Sequence, residues 1–299
     1  MKNILFVVGD GIGNQVQTLP AFFYCKKKYP DMSIYIYNVI PTQISITDFL
    51  FSGYCNDIYY SKKDISKYKF NFQILTSACH GSPFKGIKVK NNRLLSQVYK
   101  LSEIRFNLMS IDNQFTKKDF NIVPYMLKKV SVNKNIPDIL IHNGYSKINE
   151  WSKKVWFPKS YSRYEKLAKQ LKKMGFTVGS IGSKDEYVNG TINLTESKLR
   201  HSIGMIRSCK LLISNDTSTY HLANAVGTKN IVIFTFTDPI KNFDKDFHKY
   251  TTIIRREDLN CSPCQLKGEF GHWLEKDCGW KCRKIQVNQI VQEVEKILL

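Results

Sequence analysis

Carboxylates are scarce in this chain: its 299 residues carry 25 Asp and Glu against 45 Lys and Arg, a formal net charge of +20. Such an imbalance implies a polyanionic partner, with phosphorylated glycolipid, an acidic membrane surface and nucleic acid as the classes that fit. An AT-rich coding composition, which raises Lys together with Asn, Ile and Tyr, accounts for part of the excess. Long apolar runs are missing too. No stretch of 18 apolar residues occurs, which excludes a bilayer-spanning helix. After Met1-Lys2 the run Asn3–Val8 is too short for a signal-peptide core and lacks a small-residue cleavage site. The expected location is therefore cytoplasmic, with peripheral contact at the inner membrane face. Hydrophobic residues make up 42% of the chain, enough for one large core or for two domains of about 150 residues each.

The stretch that organises the rest is 210–239, KLLISNDTSTYHLANAVGTKNIVIFTFTDP. Leu211–Ile213 has the unbroken apolar character of a buried parallel strand. A polar elbow, Ser214 to Thr219, follows it. A helix is expected over Tyr220–Val226, closed by Gly227, before a second strand at Ile231–Phe234. Strand, loop, helix, strand places hydroxyls at a strand's carboxyl end, where helix N–H groups receive phosphate. Helix capping by Ser, Thr and Asp is the simpler reading of the same residues.

Earlier in the chain, the strand Ile4–Val8 runs into Gly9-Asp10-Gly11-Ile12-Gly13-Asn14 and then a helix, Gln15–Lys28. The turn lacks the last Gly of a dinucleotide fingerprint, and no acidic residue ends a following strand at the right distance. Further strands are expected at Ser33–Val39, Asp57–Tyr60 and Gln73–Thr76, with His80 in a loop after the last. Lys62, Lys63, Lys67, Lys69, Lys85, Lys88, Lys90 and Arg93 alternate with Tyr and Phe. That pattern grips a nucleic acid or a phosphorylated glycolipid, or is a solvated amphipathic face. Lys128–Asn135 reads as a linker, dividing the chain into domains 1–135 and 136–299. Beyond it come a strand Asp138–His142, the loop Asn143-Gly144-Tyr145, a helix Tyr161–Met174 and a strand Phe176–Ile181. The final helix is expected at Val287–Leu298.

Four of the eight cysteines fall within 22 positions: Cys261, Cys264, Cys278 and Cys282. In a cytosolic protein this spacing reads as one tetrahedral thiolate site holding a structural zinc or iron ion, rather than two disulfides. Cys25, Cys55, Cys79 and Cys209 read as ordinary core thiols.

Taken together, GxGIGN followed by TLPA, H-N-G followed by K-x-W-x-P, and NDT-x-x-x-HLA followed by GTKNIVIF and DP resemble glycosyltransferase family 9, the heptosyltransferase-like enzymes. The resemblance implies an α/β fold of the GT-B type, two Rossmann-like domains facing a central cleft, with the final helix packing back on the first. It implies an inverting transfer of a sugar, heptose-like or other, from a nucleoside-diphosphate sugar, with no catalytic metal. Donor contacts would fall on Asn143, Lys154, Gly182, Glu186, Asp216, Thr217, Ser218 and His221. Lys154 would neutralise the leaving diphosphate and Glu186 would lie beside the ribose. The family usually has Gly where Ser218 stands. Gly11, Gly13 and His80 would lie on the acceptor side. The family's usual general base is an Asp at the position of Asn14, and an amide cannot take that proton. Either Asp10 has assumed the role or the acceptor is deprotonated from elsewhere. The acceptor would be a lipopolysaccharide core or modified DNA, alternatively a protein hydroxyl. A non-catalytic nucleic-acid-binding protein is the reading from outside the enzyme class. The family's protein-glycosylating branch carries an iron-bound finger, which matches the four-cysteine spacing.

Overall fold

The structure is a computed structural model that describes residues 3–9, 11–39, 44–75, 101–145, 150, 153, 157–260, 262–263 and 279–299. The chain forms two compact units, Met1–Lys129 with Ile240–His248, and Val130–Pro239 with Lys249–Leu299. The expected linker brackets the first crossing. The excursion of 240–248 into the first unit was not anticipated.

The first unit holds β1 (Asn3–Val8), α1 (Ile12–Lys28), β2 (Ser33–Asn38), α2 (Ile44–Phe51), β3 (Asp57–Tyr59), α3 (Lys62–Ile65), β4 (Phe72–Leu75), α4 (Glu103–Met109) and α5 (Val123–Leu127). Its strands pair in parallel in the order β3-β2-β1-β4. Leu5, Phe6, Val7 and Val8 are fully buried, as a central parallel strand covered on both faces requires. α1 starts three residues earlier than expected, with Gly11 as its N-cap and Gly13 inside the first turn. Gly11 has φ −71° and ψ 166°, an extended conformation that any residue adopts, and a Cβ there would meet nothing within 4 Å. Of the glycine-rich stretch, Gly11 to Asn14 are thus a helix start. Pro20 sits inside α1 and is buried.

The returning segment 240–248 is stitched to α4 by buried polar groups. Lys241 Nζ lies 2.9 Å from Glu103 Oε1, both side chains nearly sealed from solvent. Arg105 Nε lies 2.7 Å from Asp244 Oδ2, and Ser102 Oγ donates to the same carboxylate at 2.8 Å. Buried charges persist only when paired and hydrogen-bonded, so these contacts fix where the segment joins the unit.

The second unit holds β5 (Ile139–His142), α6 (Tyr164–Lys173), β6 (Val178–Ser180), β7 (Ile192–Asn193), α7 (Leu199–Ser208), β8 (Leu211–Asn215), α8 (Ser218–Ala225), β9 (Asn230–Phe234), β10 (Thr251–Arg255) and α10 (Val287–Leu298), while α9 (Pro239–Asn242) starts at its last residue before the excursion and continues in the first unit. All pairings are parallel, in the order β10-β9-β8-β5-β6-β7. Read from the other edge this is the 3-2-1-4-5-6 order of a dinucleotide-binding sheet, whose direction reverses between β5 and β8. Ligands of open α/β sheets bind outside the carboxyl ends of the strands at such a reversal. α10 occupies the expected residues, yet its buried face, Ile290, Val291 and Val294, belongs to the second unit's core with Leu167 and Leu171 of α6. Its apolar positions match the uncovered face of α6 in its own unit.

Candidate active site

β5 and β8 run side by side, with His142 in register with Ser214. Their carboxyl ends deliver His142-Asn143-Gly144 and Asn215-Asp216-Thr217 to the same place. Asn215 fastens the pieces together. Its Oδ1 accepts from Tyr161 N at 3.0 Å and from the Tyr164 hydroxyl at 2.9 Å, and its Nδ2 donates to the Gly144 carbonyl at 2.9 Å. With every polar atom of that amide used in a buried place, the elbow is rigid.

Asp216 is 2% exposed. Its carboxylate is neutralised by Lys159, whose Nζ lies 3.2 Å from Oδ2 and also donates to the Asp216 carbonyl at 3.0 Å. Lys159 follows Pro158 on a 3₁₀ turn, Phe157–Lys159. That turn is held from the far end of the chain. Arg283 donates from Nε to the Ser160 carbonyl at 2.7 Å and from Nη2 to Ser160 Oγ at 2.8 Å, and its guanidinium covers the Phe157 ring at 3.9 Å.

Thr217 is the N-cap of α8, in extended conformation, but its hydroxyl does not cap the helix. It lies 3.2 Å from His142 Nδ1 and 3.0 Å from Thr219 Oγ1, which is itself 3.2 Å from the same Nδ1. The simple capping reading therefore fails for Thr217. Thr217 and Ser218 are half-buried, while Thr219 is buried. On the other side of the ring, His142 Nε2 lies 3.5 Å from Glu186 Oε2. Glu186 is locked in a capping box, accepting from Ser183 N at 2.9 Å.

Two glycines make room for this pair. A Cβ on Gly144 would sit 2.3 Å from His142 Cε1, and one on Gly182 would sit 2.2 Å from Glu186 Oε2. Gly182 also has φ +125°, a conformation that only Gly adopts freely. Asn143 is half-buried in the same loop. His221, on α8, is buried and uncharged, its pKa pushed down to about 3, first by desolvation and then by the Lys159 charge.

Of the expected donor residues, Asn143, Gly182, Glu186, Asp216, Thr217, Ser218 and His221 lie on the loops and the helix at the carboxyl ends of β5, β6 and β8. Lys154 lies outside the described residues, as do Asp10 and His80. Sequence reasoning missed Lys159 and His142. The first continues the K-x-W-x-P motif and the second opens H-N-G, so both stood inside motifs already noted.

In the first unit, Asn14 is half-buried on α1, with Gln17 Nε2 at 3.5 Å from its Oδ1 and 3.5 Å from Glu103 Oε2. These contacts are long, and they link Asn14 only through Gln17 to Glu103. Lys62, Lys63, Lys67 and Lys69 are exposed around Tyr68, which is 47% exposed and packs against Phe70 and Tyr35. Lys85, Lys88, Lys90 and Arg93 lie outside the described residues.

Residues 76–272 match glycosyltransferase family 9 (heptosyltransferase). The chain belongs to that family. It is a glycosyltransferase with the GT-B fold, and the non-catalytic reading falls away. Among solved structures, a family 9 glycosyl transferase from Veillonella parvula has a TM-score of 0.64 at 11% identity, over 99% of this chain and 97% of that one. The E. coli ADP-heptose lps heptosyltransferase II gives 0.60 at 12%, over 100% and 98%. The iron-containing dodecameric glycosyltransferase TibC of enterotoxigenic E. coli gives 0.64 at 13%, over 99% and 78%. No curated protein sequence matches this one.

Among the described residues no group of three or more His, Cys, Asp or Glu is placed to hold a metal ion. Cys261, Cys264 and Cys278 lie outside them. Cys282 is described, a buried thiol on the turn Lys281–Arg283. Cys25 and Cys209 are buried with thiol pKa pushed up to about 12, and Cys55, half-buried, is pushed up to about 11, in each case first by burial. These three are inert core thiols, as expected, and Cys79 lies outside the described residues.

Proposed function

We propose that this glycosyltransferase moves a sugar, heptose-like or other, from a nucleoside-diphosphate sugar to a polyanionic acceptor, with inversion at the anomeric carbon. The observation that carries the donor half is the elbow at the β5–β8 reversal. A half-exposed hydroxyl heads α8, Lys159 and Asp216 brace it, and the helix N-terminus favours negative charge. The E. coli neighbour named for ADP-heptose and lps supports the sugar and acceptor classes.

In the proposed displacement the acceptor oxygen bonds to the anomeric carbon as the bond to the diphosphate oxygen breaks. The leaving charge passes to the elbow and to Lys154, while the acceptor proton passes to a base on the turn after β1. Asp10 is the carboxylate of that turn. Asn14 orients the acceptor without taking the proton. A structural zinc or iron ion on Cys261, Cys264, Cys278 and Cys282 fits the thiolate spacing, and it accords with the iron-containing neighbour. Cys282 would lend it a buried ligand next to Arg283, which holds the Lys159 turn.

The test is turnover of nucleotide sugars by purified protein offered lipopolysaccharide core, DNA or a protein acceptor. Product mass identifies the acceptor, with a glycolipid product expected. Asp10→Asn should lower turnover at least about a hundredfold, with diphosphate affinity unchanged. Near-normal turnover in that variant would clear Asp10, and raised activity in Asn14→Asp would return the role to position 14. No turnover of any nucleotide sugar would overturn the proposal.

A further inference from the structure

His142 is placed to control the direction in which the elbow's hydroxyl protons point. Its Nδ1 is shared by Thr217 and Thr219 at 3.2 Å each, and the two hydroxyl oxygens lie 3.0 Å apart. Its Nε2 faces the Glu186 carboxylate at 3.5 Å. In a neutral ring the proton sits on one nitrogen, and the other accepts. A lone pair on Nε2 would face a carboxylate, so the neutral ring carries its proton on Nε2 and accepts at Nδ1. One threonine hydroxyl then donates to Nδ1 and the other to its neighbour's oxygen. Both hydroxyl protons are consumed inside the fold, and the elbow turns oxygen lone pairs toward an incoming anion.

An imidazolium reverses this. Nδ1 becomes a donor, a threonine oxygen accepts from it, and a hydroxyl proton is released outward. The half-exposed Thr217 is the residue able to aim it at a ligand. The remaining internal acceptor for Thr217 is the Asn215 carbonyl at 3.4 Å, a weak contact. Among the described residues, the ionisable groups on the elements around the ring include Glu186 with Lys184 and Asp185 on its own turn, Tyr145, the ion-paired Lys159 and Asp216, and Tyr220 and His221 on α8.

We infer that His142 is a positioning residue of the donor site, taking up one proton when a diphosphate binds and so turning the Thr217 hydroxyl toward it. This rests on the donor-site reading above.

Calorimetry with ADP, CDP, GDP and UDP, which share the diphosphate, tests it. At about pH 7.5 a terminal phosphate, with its second pKa near 6, is already ionised. Proton uptake is read from the dependence of the binding heat on the buffer's ionisation enthalpy. The wild type should take up close to one proton per nucleotide bound, and its dissociation constant should rise by up to about tenfold per pH unit wherever that uptake is seen. His142→Gln, which keeps a donor and an acceptor in the ring's place, should bind with no uptake and a flat profile. Thr217→Val should lose affinity and uptake together. Binding by the wild type without proton uptake, or equal uptake in His142→Gln, overturns the inference and leaves the donor site standing. Binding of none of the four nucleotides overturns the donor site and the inference with it.

Discussion

Lys159 is the side chain on which the buried charge of the elbow balances. Asp216 is almost sealed, and Lys159 is its ammonium partner at 3.2 Å. Removing one member of a buried pair strands the other, at a cost of about 3–5 kcal/mol. Lys159→Met should therefore lower unfolding free energy by about 3 kcal/mol, the low end, because the lysine keeps some solvent contact. The double variant Lys159→Met/Asp216→Asn should recover most of that loss in urea unfolding, and additive losses would refute the coupling. Both variants should bind nucleoside diphosphate more weakly than wild type. His221 gives a second residue-scale expectation. Its pKa in the folded chain is about 3, whereas an unfolded histidine titrates near 6.5. Between those values the unfolded chain binds a proton that the folded one does not, so stability is complete above about pH 6.5 and falls as pH drops toward 3. Urea unfolding at pH 7, 6 and 5 should show wild type losing up to about 1.4 kcal/mol per unit more than His221→Gln in the middle of that window. Parallel profiles would mean that the imidazole is not held neutral.

At the scale of elements, the short turn Lys281–Arg283 connects the last cysteine to the turn Phe157–Lys159. Arg283 reaches Ser160 and Phe157, and Ser162 Oγ donates to the Arg283 carbonyl at 3.0 Å. Loss of a structural metal at Cys282 would then loosen the turn that positions Lys159. Freshly isolated, reduced protein should contain about one equivalent of zinc or iron, and Cys278→Ser should lower both metal content and folded yield. Elemental analysis finding no metal would dispose of the site. Strands were the most legible elements. Ile4–Val8, Leu211–Ile213 and Ile231–Phe234 are apolar on both faces, which only a covered parallel sheet explains. α10 was legible to the residue because Ile290, Val291 and Val294 keep helical spacing. Its partner was not, since an apolar stripe does not say which face it will cover. α2 and α4 escaped notice because each is too short to show a helical period, although Ser102 caps α4. Within the site, the hydroxyl elbow was legible as a motif. The His142–Thr217 contact was not, because 75 residues separate them and only the β5–β8 pairing brings them together.

For the whole molecule the open quantity is the charge of +20 and where it acts. The acceptor is expected on the first unit, whose described surface carries Lys62, Lys63, Lys67 and Lys69, all exposed, around the exposed Tyr68. The second unit has an equal number of exposed lysines on α6, namely Lys166, Lys169, Lys172 and Lys173. These alternate with the buried Leu167, Ala168 and Leu171, the pattern of an ordinary amphipathic helix with a solvated face. The aromatic residue of α6 itself, Tyr164, is buried. The two groups allow a test at constant charge. Sedimentation with anionic vesicles should show binding that weakens several-fold from about 50 to about 200 mM salt, because exposed charges are screened over a Debye length. Replacing the four lysines near Tyr68 by Glu should abolish it, whereas the same reversal on α6 should weaken it only modestly through the changed net charge. Equal losses would mean that bulk charge and not a built surface draws the protein to a polyanion. Binding to zwitterionic vesicles, insensitive to salt, would remove the polyanionic acceptor from the reading altogether.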